Sequence, residues 1–283
     1  MLVTFGACSF GAISILVEVA TRAGEPLLGV LTWRYVLAAG VLLLFLLRSG
    51  KRPDGRGFRI MMTAGLMQAL IAVVSLSALR YISAATLAFL FYTYPAMVAV
   101  LARVRHSEPL TPPRLVALAL SLGGIFVMIG APGGSMHPLG LVLALASAVM
   151  YAVYIPLLST IQRELSPLAT ALYMATGAAI FLGVAGLYEG ELVVRSGVAW
   201  SSILTLAVVC TAVAFLAFLN GLRVLGPVRT AIISTVEPFF TAVLGAWFLN
   251  QPMTISVVAG GALIAAAVVL LQLRPANGRT VGA

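Results

Sequence analysis

The chain has 283 residues, 61% of them hydrophobic and 9% charged, with a mean hydropathy of +1.11. Soluble domains carry about 25% charged residues, so charge this sparse cannot cover a water-exposed surface, and the solvent for most of the chain is lipid. The net charge of +9 lies in short polar gaps between apolar stretches, with no basic patch interleaved with exposed aromatics, which argues against nucleic-acid binding. Lys51 is the only lysine, and no Gly-Lys-Ser/Thr string exists, so a phosphate-cradling loop and ATP-driven transport by this chain alone are not expected.

A helix that crosses a hydrocarbon layer about 30 Å thick needs about 20 apolar residues. In chain order the predicted spans are 2–20, 28–47, 60–79, 84–103, 115–131, 139–158, 168–187, 200–220, 230–249 and 254–273. The first is apolar from Leu2 and has no basic n-region, so it reads as a spanning helix and not as a cleaved signal peptide. The gaps are too short for a soluble domain. Cys8 and Cys210 fall inside apolar spans without paired spacing, and read as small packing residues.

Orientation follows from the bases in the short gaps. With the N-terminus in the cytoplasm, the cytoplasmic gaps and tail hold Arg48, Lys51, Arg52, Arg56, Arg59, Arg103, Arg105, Arg114, Arg163, Arg223, Arg229, Arg274 and Arg279. The outer gaps hold only Arg22, Arg80 and Arg195. Both termini are therefore expected inside. Trp33, Trp200 and Trp247 then fall in the outer half, as an interfacial belt does.

The chain also repeats itself. A shift of 143 residues brings Leu79-Arg80 onto Leu222-Arg223, Ala88 onto Ala231, Tyr94-Pro95 onto Glu237-Pro238 and Ala99-Val100-Leu101 onto Ala242-Val243-Leu244. Five helices per half is an odd number, so the second half is inverted relative to the first. The expected fold is an all-α integral membrane protein of ten transmembrane helices in two inverted five-helix repeats, 1–131 and 138–273, with 274–283 a cytoplasmic tail. Inverted repeats are an architecture of secondary transporters, which place the binding site near the midplane between the halves.

The ordered fragments Phe10-Gly11, Trp33-Arg34-Tyr35, Arg80-Tyr81-Ile-Ser-Ala-Ala-Thr86, Tyr92-Thr-Tyr94-Pro95 and Glu108-Pro109-Leu110-Thr111 continue in Leu225-Gly226-Pro227, Glu237-Pro238 and Gln251-Pro252-Met-Thr254. In that order and spacing the chain resembles, over essentially its whole length, the EamA branch of the drug/metabolite transporter superfamily. The resemblance implies an exporter of amino acids or similar small metabolites in the inner (plasma) membrane, with no bound cofactor. Its expected partners are a small-molecule substrate and the lipid bilayer, with a monomer as a plausible state. Glu18 stands where the family often has a lysine or a small polar residue, which bears on the favoured charge of the substrate. Gln251 stands where a glutamate is common.

Glu18, Arg34 and Glu237 are the charges inside the predicted spans, and each costs about 2.5–3.5 kcal/mol at a helix centre on insertion scales. Glu237 lies near midplane beside Pro238, and its repeat partner is Tyr94 beside Pro95. Two proline-weakened helices facing each other would line a central cavity, with Pro95 and Pro238 as hinges. Glu237 reads either as a substrate or proton-coupling group or as a carboxyl that bonds a neighbouring helix. Arg34 reads either as the ion-pair partner of Glu18 or as the binder of a substrate carboxylate.

Tyr92, Tyr94, Tyr151, Tyr154 and Tyr173 are candidates for an aromatic pocket wall. Gln68, Ser75, Ser77, Thr211, Asn220, Ser234 and Thr235 are candidates for a cavity or for interhelical hydrogen bonds. Gly123-Gly124 and Gly260-Gly261 read as sites of close helix packing. His106 and His137 fall in loops on opposite sides, and no acidic pair has ligand spacing, which argues against a metal site and an intramembrane enzyme. A channel, a lipid-moving protein or a facilitated carrier uses the same polar interior and stays open as an alternative.

Overall fold

The computed structural model describes residues 1–49, 57–78, 80–82, 84–105, 110–129, 137–249 and 253–273. Among these the regular structure is helical: α1 (Leu2–Arg22), α2 (Leu27–Arg48), α3 (Gly57–Ala78), α4 in two segments (Ala84–Phe91 and Tyr94–Val104), α5 (Pro112–Ile129), α6 (Pro138–Ile161), α7 (Pro167–Glu189), α8 (Gly197–Leu225), α9 in two segments (Pro227–Ser234 and Val236–Leu249) and α10 (Ile255–Leu273). Among the described residues, eight helices are long and apolar enough to cross a membrane, and α5 and α10 are shorter apolar helices. Leu44, Phe45, Val100, Val142, Val184 and Leu187 are exposed on the flanks. Such a surface would drive aggregation in water and is at home against acyl chains. The protein is a multi-pass membrane protein.

Helix starts carry their own chemistry. Ser166 and Ser196 accept, through their hydroxyls, the backbone N–H groups of Ala169 and Ala199 at 3.2 and 3.4 Å, which caps otherwise unpaired donors. Prolines open α6, α7 and the first segment of α9, where the missing N–H costs nothing. Gly190, at φ +72°, ends α7 in the left-handed conformation, which glycine adopts without penalty.

Long-range contacts order the helix ends into two faces. Val3 packs on Gly221 near the end of α8, and the Arg229 Nη2 at the start of α9 donates to the Leu271 carbonyl at the end of α10, at 2.9 Å. We call this the Met1 face. On the far face the Glu25 carboxylate accepts the backbone N–H groups of Arg195 and Ser196 at 2.9 and 2.6 Å, and Tyr81 stacks on His137 with ring centroids 5.1 Å apart. Trp33 and Trp200 lie against each other at 5.5 Å, and their indole N–H groups donate to the carbonyls of Leu192 and Val194. These two rings therefore tie a loop down as well as sitting at the helix ends, whereas Trp247 is exposed.

The packing pairs helices from opposite halves of the chain: α2 lies along α7, α5 along α10, α1 against α8 and α9, and α6 against α3 and α4. Backbones come close where side chains are absent. A Cβ at Gly124 would stand 2.6 Å from the Gly260 carbonyl oxygen, and a Cβ at Gly65 would press on the Gly177 backbone. Glycine at such crossings lets van der Waals packing replace a hydrophobic drive that lipid does not supply. Gly123 meets nothing within 4 Å, so of the expected Gly123-Gly124 pair one residue makes the crossing.

Two features interrupt the regular α-helical spans. α3 contains a π-helical turn at Met61–Gly65 and α8 another at Val208–Val213; such turns leave no mark in hydropathy. The breaks in α4 and α9 come just before Pro95 and Pro238, at Thr93 (ψ −14°) and Thr235 (ψ −6°). Each threonine hydroxyl donates back three residues, to the Leu90 and Ile232 carbonyls at 2.6 and 2.7 Å. The prolines thus sit in the first turn of a fresh helical segment, where their lack of an N–H is harmless. Lys51, Arg52, Gly55, Arg56, Leu79, His106, Glu108, Gln251, Arg274 and Arg279, and with them the expected tail, lie outside the described residues.

Candidate functional site

The two helix breaks meet residues of α1, α2 and α6 in the middle of the protein. Glu237, in the first turn of the Val236–Leu249 segment, accepts a hydrogen bond from the Tyr92 hydroxyl at the α4 break. Cys8 of α1, Arg34 of α2, Tyr94 of α4 and Tyr151 of α6 are within electrostatic range of this carboxyl. Gly11 brings the two helices to that distance: a Cβ there would stand 2.9 Å from the Glu237 carbonyl oxygen. Thr241 clamps the same crossing by donating to the Gly11 carbonyl at 3.0 Å.

An aromatic wall adjoins the carboxyl. Phe91 lies 5.6 Å from Tyr92, 5.5 Å from Tyr94 and 5.3 Å from Tyr151, and Tyr94 meets Tyr151 edge-on at 4.7 Å. Tyr154 continues the wall from Tyr151 at 6.3 Å and donates its hydroxyl to the Ala64 carbonyl, inside the π turn of α3, at 3.0 Å. Tyr92, Tyr94 and Tyr154 are buried, whereas Glu237, Phe91, Tyr151 and Gln68 are half-buried. Glu237 and Tyr151, packed among these helices, keep part of their surface accessible.

Arg34 is buried and does not meet Glu18. Its Nε donates to the Thr211 hydroxyl at 2.6 Å, and its guanidinium carbon lies 4.8 Å over the Tyr35 ring. Thr211 in turn donates to the Leu206 carbonyl five residues back, across the start of the π turn, at 2.8 Å. The expected Glu18–Arg34 pair is corrected: Glu18 pairs with Arg22 one turn on, at 2.6 Å, at the exposed end of α1. The nearer partner wins because an i,i+4 pair on one helix face needs no other helix to orient it.

Other sequence candidates divide in the same way. Gln68 donates to the Tyr35 hydroxyl at 3.2 Å, at the edge of the site. Ser234 is buried and donates to the Thr230 carbonyl at 2.9 Å. Tyr173 is not part of the wall; its ring lies against Gly57 at the Met1 face. Asn220 is exposed and donates back to the Leu216 carbonyl at 2.7 Å. Ser75 and Ser77 are half-buried in α3. Pro95 and Pro238 are both buried beside the breaks. Phe91 and Gly11 were missed as site residues: Phe91 looks like any core aromatic in sequence, and Gly11 stood out only as part of the Phe10-Gly11 fragment. Among the described residues no group of three or more His, Cys, Asp or Glu side chains could hold a metal ion.

The chain is similar to an uncharacterized transporter of Archaeoglobus fulgidus, 26% identical over 268 residues that cover 95% of this chain and 94% of that protein. It is similar to the uncharacterized transporter YcbK of Bacillus subtilis, 25% identical over 90% of this chain and 86% of that one. A riboflavin transporter of Brucella anthropi is 28% identical over 59% of this chain and 60% of its own length. One solved crystal structure shares the fold with a TM-score of 0.81 over 96% of both chains, at 18% identity. The sequence profile of the EamA-like transporter family matches residues 1–130 and 138–273, and the chain belongs to that family.

Proposed function

We propose that this chain is a secondary transporter that moves a small metabolite, an amino acid or a molecule of similar size, out of the cell by alternating access around Glu237. The observation that carries the reading is the meeting of two broken helices, α4 and α9, at the Tyr92–Glu237 hydrogen bond, beside the aromatic cluster of Phe91, Tyr94 and Tyr151. A lone carboxyl at such depth is costly and marks a pathway by default. The aromatic faces suit an apolar or planar body, and the polar edge at Gln68 and Ser234 suits its hydrogen-bonding groups.

The architecture in this reading is ten transmembrane helices in two inverted repeats, 1–131 and 138–273. Exchange of each helix for the one five places along turns the contacts α1–α8 and α1–α9 into α6–α3 and α6–α4, and returns α2–α7 and α5–α10 to themselves. The π turns of α3 and α8 and the breaks of α4 and α9 are also exchanged. The base asymmetry supports the Met1 face as the cytoplasmic one. Pro95 and Pro238 act as hinges, because each leaves its segment one hydrogen bond short of the segment before it. In this reading Glu237 takes a proton from one side and releases it on the other, which couples efflux to proton entry.

The test is flux in proteoliposomes against a panel of amino acids and metabolites, with riboflavin included because one relative carries that name. Saturable uptake that accelerates under a pH gradient is expected. Glu237→Gln should lose the pH-driven component and keep substrate-for-substrate exchange, which needs no proton release. PH-driven flux at the wild-type rate in that variant reduces Glu237 to a structural bond and leaves a facilitated carrier. Flux that does not saturate points to a channel.

A further inference from the structure

Tyr94 and Glu237 occupy equivalent places in the two halves, at a shift of 143 residues, and so do Ala88 and Ala231. On the Met1 half of the protein the Tyr94–Val104 segment of α4 packs against the Pro227–Ser234 segment of α9, and the Tyr94 hydroxyl points at the Ala231 carbonyl, 3.5 Å away. On the far half the two helices lean elsewhere: Ala84–Phe91 on α5 and α6, and Val236–Leu249 on α1 and α10. This arrangement is closed between α4 and α9 towards Met1.

Exchanging the roles of the halves converts the contact between Tyr94 and the Ala231 carbonyl into one between Glu237 and the Ala88 carbonyl. A phenol always has a proton to donate. A carboxylate has none, and only the neutral acid can donate one to a carbonyl. We infer that Tyr94 and Glu237 are the paired latches of the two gates: Tyr94 holds the Met1 half closed through Ala231, and a protonated Glu237 holds the far half closed through Ala88.

This inference rests on the alternating-access reading above and adds the reason that a proton is needed for one closure and not for the other. In the observed state Glu237 is an acceptor, bonded by the Tyr92 hydroxyl. Arrival of a proton from the far side adds a donor to a group that as a carboxylate can only accept, and supplies the bond that the far gate requires. The groups that face it from the packed helices are Cys8 of α1, Arg34 of α2, Tyr92 and Tyr94 of α4 and Tyr151 of α6. Arg34 is the cation of that set, and its Nε is engaged by Thr211. Ala88 enters only through its backbone, so its role survives side-chain replacement. Tyr94 is a positioning residue in this scheme and needs no contact with the substrate.

Spin-label distances in lipid nanodiscs test the latch on the full chain, with Cys8 and Cys210 replaced. Labels at Arg80 and Trp247 report the far gate, and labels at Arg105 and Val224 report the Met1 gate; all four positions are exposed. In wild type, acidification should move the population towards a short far-gate distance, by about tenfold in the closed-to-open ratio for one added hydrogen bond to a carbonyl. Glu237→Gln keeps an N–H donor and should hold the closed-to-open ratio of acidified wild type at every pH, a bias that still lets the gates alternate in exchange. Glu237→Ala has no donor and should give the long distance at every pH. Tyr94→Phe should open the Met1 gate and leave the far gate's pH response in place. A far-gate distance in Glu237→Ala that shortens with acid as in wild type overturns the latch. If that happens while pH-driven flux in liposomes persists, the latch alone is lost. A pH-responsive wild-type distance without any flux keeps the latch and removes the transport reading.

Discussion

The Arg34 guanidinium, on α2, donates from Nε to the Thr211 hydroxyl, on α8, at 2.6 Å, while that hydroxyl donates to the Leu206 carbonyl at 2.8 Å. One small side chain therefore serves two needs at once. It partners a buried cation, which is costly in hydrocarbon without a partner, and it ties back to its own helix across the start of the π turn Val208–Val213.

Thr211→Val keeps the shape and removes both bonds. It should lower stability by about 1–3 kcal/mol, because a buried charged donor loses its partner. The readout is thermal unfolding in detergent, and Thr211→Ser should recover most of the loss. Wild-type stability in the valine variant would mean that Arg34 finds water or lipid phosphate instead.

Glu18→Gln should behave like wild type in both stability and flux. Its pair with Arg22 is an exposed i,i+4 contact, and such pairs contribute about 0.3–0.5 kcal/mol at most. Loss of transport in this variant would return Glu18 to the pathway, as the sequence first suggested.

The two neighbouring glycines of α5 should respond in opposite ways. Gly124→Ala places a methyl against the Gly260 carbonyl and should cost about 1–3 kcal/mol by overpacking. Gly123→Ala points into open space and should be neutral or slightly stabilising, since alanine favours helix over glycine by about 1 kcal/mol. Equal effects in thermal unfolding would contradict the α5–α10 crossing.

Topology is open to a direct check. In a background without Cys8 and Cys210, single cysteines at Val193 and Arg105, exposed on the far and Met1 faces, should react oppositely with an impermeant thiol reagent added to intact cells. Labelling at 193 and protection at 105 is the expected pattern. The reverse would place the Met1 face outside and invert the direction of proton entry.

What the amino-acid sequence determined alone were properties carried by short stretches of chain. Residence in a membrane follows from runs of about 20 apolar residues, and family membership is legible in fragments such as Arg80-Tyr81 and Glu237-Pro238. The depth expected of Glu237 is counted from the ends of its span, and a shift of 143 residues along the chain sets Tyr94-Pro95 against Glu237-Pro238. Tertiary structure decided everything that depends on how each helix is rotated about its own axis. At 3.6 residues per turn, Gly123 and Gly124 point about 100° apart, and nothing local says which one faces α10. The same rotation brings Tyr151 and Tyr154 to the wall with Tyr94 and sends Tyr173 to Gly57 at the Met1 face. Arg34 found Thr211, 177 residues away, over Glu18, because side chains of different helices meet only where the packed backbones carry them. Glu18 had a cation on its own helix face one turn away, and took it.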